Sequence, residues 1–393
     1  MKILKRIMNV LLIICLLSIA TVFGLRFYNS FSESLSYEVD IISDTRQHPV
    51  ANKWGHGTTA MEIVEGVDLI GKNVIITGGY TGFGIETTKA LTRAGTHVTV
   101  LARDVERAKN NLRKVKNVEI EYFDLLIPES FDAFAEKFLA SEKPLHILIN
   151  HAGIINTPLT RDKWGYELQL ATNMLGHFEL TAKLYPALVK ANGARIVNVS
   201  SRGHRAGGII FDDINFNHTE YNGMVAYAQS KTALILFTLK LDELAQKDNI
   251  RAFAVHPEPI PSTDIFAERG VGIDSDFKVS LMRNLARFMR AFNITALQNF
   301  VRNPKNVGDV YKNVQQGAAT SVWCAVSDDL NGKGGVYCKD SNIAVVVPDG
   351  SMAPFGVRQW ALDMDSAERL WKICEEMTGV TFDTNPRSSY LQK

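Results

Sequence analysis

The chain has 393 residues, enough for one large domain or two ordinary ones. Hydrophobic residues make up 46% and charged residues 22%, ordinary values for a globular protein with a sizeable core, and the net charge of +1 gives no electrostatic reason for a nucleic-acid partner. The four cysteines, Cys15, Cys324, Cys338 and Cys374, include no C-x-x-C pair, so no zinc site, redox dithiol or disulfide framework is expected.

At the N-terminus, Lys2, Lys5 and Arg6 precede an apolar run at 7–25, close to the ~20 residues that span a bilayer. The reading is a single-pass membrane anchor over 1–27, with a cleaved signal segment and a secreted or luminal protein as the alternative. The basic residues ahead of the run place the N-terminus in the cytosol, and the side on which the domain lies stays open. Residues 28–66 read as a linker and lead-in, with a short helix at 58–63.

From residue 72 the pattern changes. Apolar, β-branched runs at 73–77, 97–101, 118–122, 145–149, 195–199 and 251–255 predict strands. Amphipathic stretches at 84–94, 105–115, 131–139, 167–190 and 227–246 predict helices between them. This alternation implies an α/β fold, a doubly wound parallel sheet with helices on both faces, in a single domain over 67–350. After His256, Pro257, Pro259 and Pro261 interrupt regular structure. A basic amphipathic stretch at 277–292 reads as a lid helix, with an interfacial membrane helix as the alternative. A helix at 306–326, short strands at 335–337 and 344–347, and a last helix at 365–377 follow; 351–393 reads as a C-terminal helical extension.

Between the first strand and first helix lies Thr77-Gly78-Gly79-Tyr80-Thr81-Gly82-Phe83-Gly84. Glycines let backbone approach a pyrophosphate closely, and the following helix points its N-terminal amides at that anion. The spacing T-G-x-x-x-G-x-G resembles the short-chain dehydrogenase/reductase family, over about 68–343. Thr58-Thr59-Ala60 and Gly334-Gly335-Val336-Tyr337 look like its retinol-dehydrogenase and WW-domain-oxidoreductase branch. The resemblance implies a Rossmann-type sheet, a nicotinamide dinucleotide and an alcohol or carbonyl substrate. The second strand ends Leu101-Ala102-Arg103-Asp104. Ala102 stands where an NAD enzyme usually carries an acid, and Arg103 can pair with a 2′-phosphate, so NADP is expected. Asp104, one position late, leaves NAD open. The resemblance places Asp124 and Leu125 at the adenine, and Gly78, Tyr80, Thr81, Gly82, Phe83, Gly84, Asn150, Ala152, Pro257 and Ser262 around the rest of the cofactor. Asn150-His151-Ala152-Gly153 departs from the family's Asn-Asn-Ala-Gly at His151, read as a loop residue, with a catalytic base as the alternative.

Of the eleven tyrosines only Tyr227 has a lysine four places on, Lys231, and the pair sits at a helix start after five strands. Carbonyl reduction needs a proton donor, and a free tyrosine pKa of ~10 is too high for easy shuttling. A Lys231 ammonium and an oxidised nicotinamide both favour phenolate. The resemblance adds Ser201, with Ser200 as alternative, to hold the substrate oxygen. It adds Asn173, whose helix kink holds a relay water to the lysine. One departure stands out: Pro257-Glu258 replaces the family's Pro-Gly, where glycine allows close passage of the nicotinamide. The reading is NADP(H)-dependent alcohol–carbonyl interconversion on a lipophilic small molecule, in a possible homodimer, against a nucleotide-binding scaffold with little turnover.

Overall fold

The computed structural model describes residues 40–260, 311–351, 353 and 355–382. The apolar run at 7–25, the stretch at 277–292, the first residues of 306–326 and Ser262 lie outside the described residues.

The six β-branched runs form β1 (Asn73–Thr77), β2 (His97–Ala102), β3 (Val118–Tyr122), β4 (Ile147–Asn150), β5 (Arg195–Val199) and β6 (Arg251–His256). Helices α1 (Gly82–Arg93), α2 (Val105–Leu112), α3 (Pro128–Ala140), α4 (Gly176–Ala191) and α5 (Gly223–Ala245) alternate with them. Downstream come α6 (Ala319–Val326), β7 (Val336–Lys339), β8 (Asn342–Ile343) and α7 (Met364–Thr378). Among the described residues the sheet runs β3-β2-β1-β4-β5-β6-β7-β8, parallel up to β7 and antiparallel at β8. The chain steps from β1 outward to β3, then returns to lay β4 on the other side of β1. That reversal leaves a crevice beyond the carboxyl ends of β1 and β4, the place where such sheets take their ligands.

Strand alternation builds the two faces. Ile75 of β1 and Ile196 of β5 join a core with Phe134 of α3, Phe178 of α4, Phe237 of α5 and Trp371 of α7. Their neighbours Val74, Ile76, Val197 and Val199 point the other way, into a core with Leu91 of α1 and Trp323 of α6. Burial on both faces explains why these strands read as continuous apolar runs. Among the described residues no helix is long and apolar enough to cross a membrane.

Four details differ from the sequence reading. The stretch 167–190 is not one regular helix: a π turn, Ala171–Leu175, separates Leu168–Leu170 from α4. One inserted residue barely disturbs the 3.6-residue periodicity, so the pattern hides it. Helix α5 starts a turn ahead of Tyr227, because Asn222 Oδ1 accepts from Met224 N at 2.9 Å and Val225 N at 3.2 Å. The run at 344–347 forms no strand of the main sheet; Val346–Val347 (β9) pairs with Val357–Arg358 (β10) in a separate two-stranded sheet. The C-terminal segment packs into the body of the domain, with Trp371 5.1 Å from Phe178 and 5.8 Å from Phe237 between ring centroids.

The lead-in is also tied down: the Gln47 amide donates to Tyr337 O and Ala344 O, each at 2.7 Å, and accepts from Tyr337 N at 2.9 Å. Cys324 and Cys338, unconnected by any motif, share a hydrogen bond in the core, and burial pushes the Cys324 thiol well up, which keeps it inert.

Candidate active site

The glycine loop leaves β1 through Gly78 at φ +68° and enters α1 through Gly82 at φ +52°, both in the region glycine enters freely. A side-chain carbon at Gly84 would come 2.6 Å from Gly78 O and 2.8 Å from His151 Cε1, so only glycine fits. Thr81, the residue before α1, makes no side-chain cap, which leaves the first amides of a twelve-residue helix to an anion. These features fit a dinucleotide pyrophosphate.

Thr77, at the tip of β1, ties the loop to the next one. Its hydroxyl accepts from His151 N at 2.9 Å and Ala152 N at 3.0 Å, and meets His177 Nε2 at 2.9 Å. His177 Nδ1 lies 2.9 Å from the carbonyl oxygen of Asn173. A carbonyl only accepts, so Nδ1 carries the proton, and Nε2 accepts from Thr77. Burial lowers the His177 pKa to about 4, against the Asn173 hydrogen bond, and keeps the ring neutral. The sequence reading gives no role to Thr77 or His177. The available signal was the i,i+4 spacing of His177 from Asn173 on one helix face.

Asn173 sits in the π turn. Its Oδ1 accepts from Ile154 N at 2.8 Å, and its Nδ2 donates to Ile154 O at 3.0 Å and Ser230 Oγ at 2.9 Å. Gly153 lies between it and Lys231: a side-chain carbon there would stand 3.1 Å from Asn173 Oδ1 and 3.4 Å from Lys231 Nζ.

Beyond β5 the two serines part. Ser200 Oγ turns into α5 and donates to Lys231 O at 2.7 Å. Ser201 Oγ accepts from Gly203 N at 3.0 Å and hydrogen-bonds the Tyr227 hydroxyl. Lys231 Nζ donates to Val199 O at 2.9 Å and stands 5.6 Å from the centre of the Tyr227 ring. Burial pushes Tyr227 up to about 12, opposed by the Ser201 hydrogen bond and the Arg202 charge. Burial alone lowers Lys231 to about 7. The Arg202 charge thus acts downward on the phenol alongside the Ser201 hydrogen bond. The expected i,i+4 pair is present, but Lys231 is only partly charged near neutrality.

Ser200, Ser201, Tyr227 and Lys231 open on one cavity of about 390 Å³, which Asn173 does not line. Arg103, Asp124 and Leu125 line it together with the glycine loop. Arg103 is exposed, whereas Asp104 Oδ1 accepts from Arg107 N at 2.9 Å as the cap of α2. Asp124 Oδ1 accepts from Leu126 N at 3.0 Å. Its apolar lining includes Ile154, Ile155, Met224 and Ile260. Asn150 does not join the cavity: its amide donates to Asn198 Oδ1 at 2.7 Å and Thr181 Oγ1 at 3.1 Å inside the core. The His151 ring packs on Phe83, 4.3 Å between centroids. Burial, reinforced by the nearby Lys231, lowers its pKa to about 3. Pro257 and Glu258 also line the cavity, and Glu258 has φ +67°.

The geometry agrees with what the chain resembles. The sequence profile described as short chain dehydrogenase matches residues 72–272. A "Probable oxidoreductase" of Streptomyces lividans is 38% identical over 312 residues, 78% of this chain and 97% of that protein. Retinol dehydrogenase 12 of Mus musculus is 34% identical over 81% of this chain and 89% of its own length. The WW domain-containing oxidoreductase of Homo sapiens is 31% identical, covering 79% of this chain and 71% of that protein. Among solved structures, an uncharacterized protein from Mycobacterium Paratuberculosis superposes with a TM-score of 0.59 at 27% identity, over 83% of this chain and 99% of that one. Sheet order, glycine loop and these likenesses converge, and the chain belongs to the short-chain dehydrogenase family.

Proposed function

We propose that the chain is an NADP(H)-dependent oxidoreductase interconverting an alcohol and a carbonyl compound, with Tyr227 as acid and base. The observation that carries this reading is the meeting of Ser201, Tyr227 and Lys231 in the cavity that the glycine loop borders. When bound, the nicotinamide cofactor supplies or accepts the hydride.

The remaining work falls to the chain. The Ser201 hydroxyl holds the substrate oxygen beside the Tyr227 hydroxyl. Burial keeps the phenol protonated near neutral pH, the form that gives a proton to the developing alkoxide. In the oxidising direction the phenol must first lose that proton, which favours higher pH. Lys231, with its pKa lowered to about 7 against about 12 for Tyr227, can give a proton downhill to a Tyr227 phenolate and so recharge the acid during carbonyl reduction. Asn173 orients the loop above Lys231 through Ile154.

For NADP, support comes from Ala102 at the usual acid position, the exposed Arg103 in the cavity lining and the use of Asp104 as a helix cap. For a lipophilic substrate, it comes from Ile154, Ile155, Met224 and Ile260, together with relatives named retinol dehydrogenases. Membrane attachment through residues 7–25 completes the proposal; deleting 1–27 should release an active soluble form.

The test is NADPH oxidation with a panel of carbonyl compounds. Tyr227→Phe should lose more than tenfold in kcat while NADPH binding survives. Retention of a tenth or more, a loss below ~1.4 kcal/mol, removes Tyr227 from this role. Glu258 in the cofactor wall favours a second reading, a nucleotide-binding scaffold; NADPH binding without turnover of any carbonyl would select it.

A further inference from the structure

We infer that Glu258 is a positioning residue of the cofactor wall, holding the loop after β6 against β7 through Lys339 where the family carries glycine. The inference rests on the cofactor site proposed above. Glu258 takes the left-handed backbone, φ +67°, that glycine enters freely and a side chain resists. Its carboxylate is almost wholly buried, a placement that holds only with a partner. Lys339 Nζ lies 2.9 Å from one oxygen and His256 Nε2 3.4 Å from the other. Burial would raise this carboxyl, but His256 and Lys339 hold it below the usual range, as an anion.

The pairing extends into a closed circuit. Asp340, next to Lys339 in sequence and 3.9 Å from its ammonium, pairs with Lys312 Nζ at 2.6 Å. The backbone N–H of Lys312 donates to Pro259 O at 3.0 Å, back on the starting loop. Charges alternate round the ring: Glu258, Lys339, Asp340, Lys312. His256 joins it to the catalytic side, since its Nδ1 accepts from Arg202 N at 3.2 Å and Glu258 N at 3.3 Å. Pro257, Glu258 and Pro259 face the cavity, whereas Lys339 does not line it. The circuit therefore sets where the wall stands relative to Ser201, and cofactor affinity depends on a lysine outside the cavity.

The experiment titrates NADPH and NADH into the full chain, its Lys339→Met variant and the double variant Glu258→Gly with Lys339→Met, with kcat at saturating cofactor and a melting curve for each. Lys339→Met strands a buried carboxylate and should weaken NADPH about tenfold. The double variant removes the stranded charge and restores glycine, so binding should return to within about threefold of wild type. A merely structural role would lower melting temperature in both variants without this rescue of affinity. Should Lys339→Met fail to fold, a soluble, cofactor-binding double variant supports the inference, and a double variant that also fails overturns it. Unchanged NADPH affinity in Lys339→Met, or a double variant as weak as the single, sinks the inference alone. A wild-type chain that binds neither cofactor sinks the functional reading and this inference with it.

Discussion

Replacing Thr77 by valine tests the junction on which the glycine loop and the loop after β4 depend. Valine keeps the shape and removes one oxygen. That oxygen accepts from two backbone amides, His151 N at 2.9 Å and Ala152 N at 3.0 Å, and meets His177 Nε2 at 2.9 Å. Each buried group left without a partner costs roughly 1–3 kcal/mol. The two amides border a cavity that water can enter, so the sum should fall at the low end, about 2–4 kcal/mol. Urea unfolding of the cofactor-free protein, followed by tryptophan fluorescence, would measure it. Thr77→Ser is the control: it keeps the hydroxyl and loses one methyl, about 1 kcal/mol. Because Ala152 lines the cavity, the valine variant should also bind NADPH more weakly than the serine variant. Equal stability in the two variants would refute the three-bond reading of Thr77.

Arg103→Ala should weaken NADP(H) binding by roughly 1.5–3 kcal/mol and leave NAD(H) nearly unchanged; equal loss for both cofactors in calorimetric titrations would remove Arg103 from 2′-phosphate recognition. Burial lowers the Lys231 pKa from the ordinary ~10.4 to about 7, so between these values the unfolded chain binds a proton that the folded one has released, and stability should rise with pH across that window. Lys231→Met should flatten that rise and be the more stable protein at pH ~6, where wild type must bury the charge; parallel stability curves from pH-dependent denaturation would contradict the buried lysine. Trp371→Ala should cost roughly 3–5 kcal/mol in urea, because its ring packs on Phe178, Phe237 and Phe382; a loss under ~1 kcal/mol would mean that α7 is an appendage.

Much of this protein is local and therefore legible. The inner strands β1, β2, β4, β5 and β6 appear as largely apolar, β-branched runs because they are buried on both faces, whereas the edge strand β3 alternates Val118 and Ile120 with Glu119 and Glu121. The glycine loop declares itself because Gly84 admits no side chain and Gly78 and Gly82 take positive φ. Tyr227 and Lys231 are legible because one helical turn fixes their spacing. What the sequence alone determined was thus the alternating α/β order, the phosphate loop and the candidate proton-transfer pair. Only the tertiary structure decided which serine faces Tyr227, that the Asn150 amide belongs to the core, and that Thr77, His177 and Asn173 form one relay of hydrogen bonds. Only it joined Glu258 to Lys339 and Lys312, and Gln47 to Tyr337. The reason is physical. A conformational preference or a helical spacing acts between neighbours in the chain, whereas a buried polar group takes whichever partner the fold delivers, and that partner stands at no fixed distance in sequence.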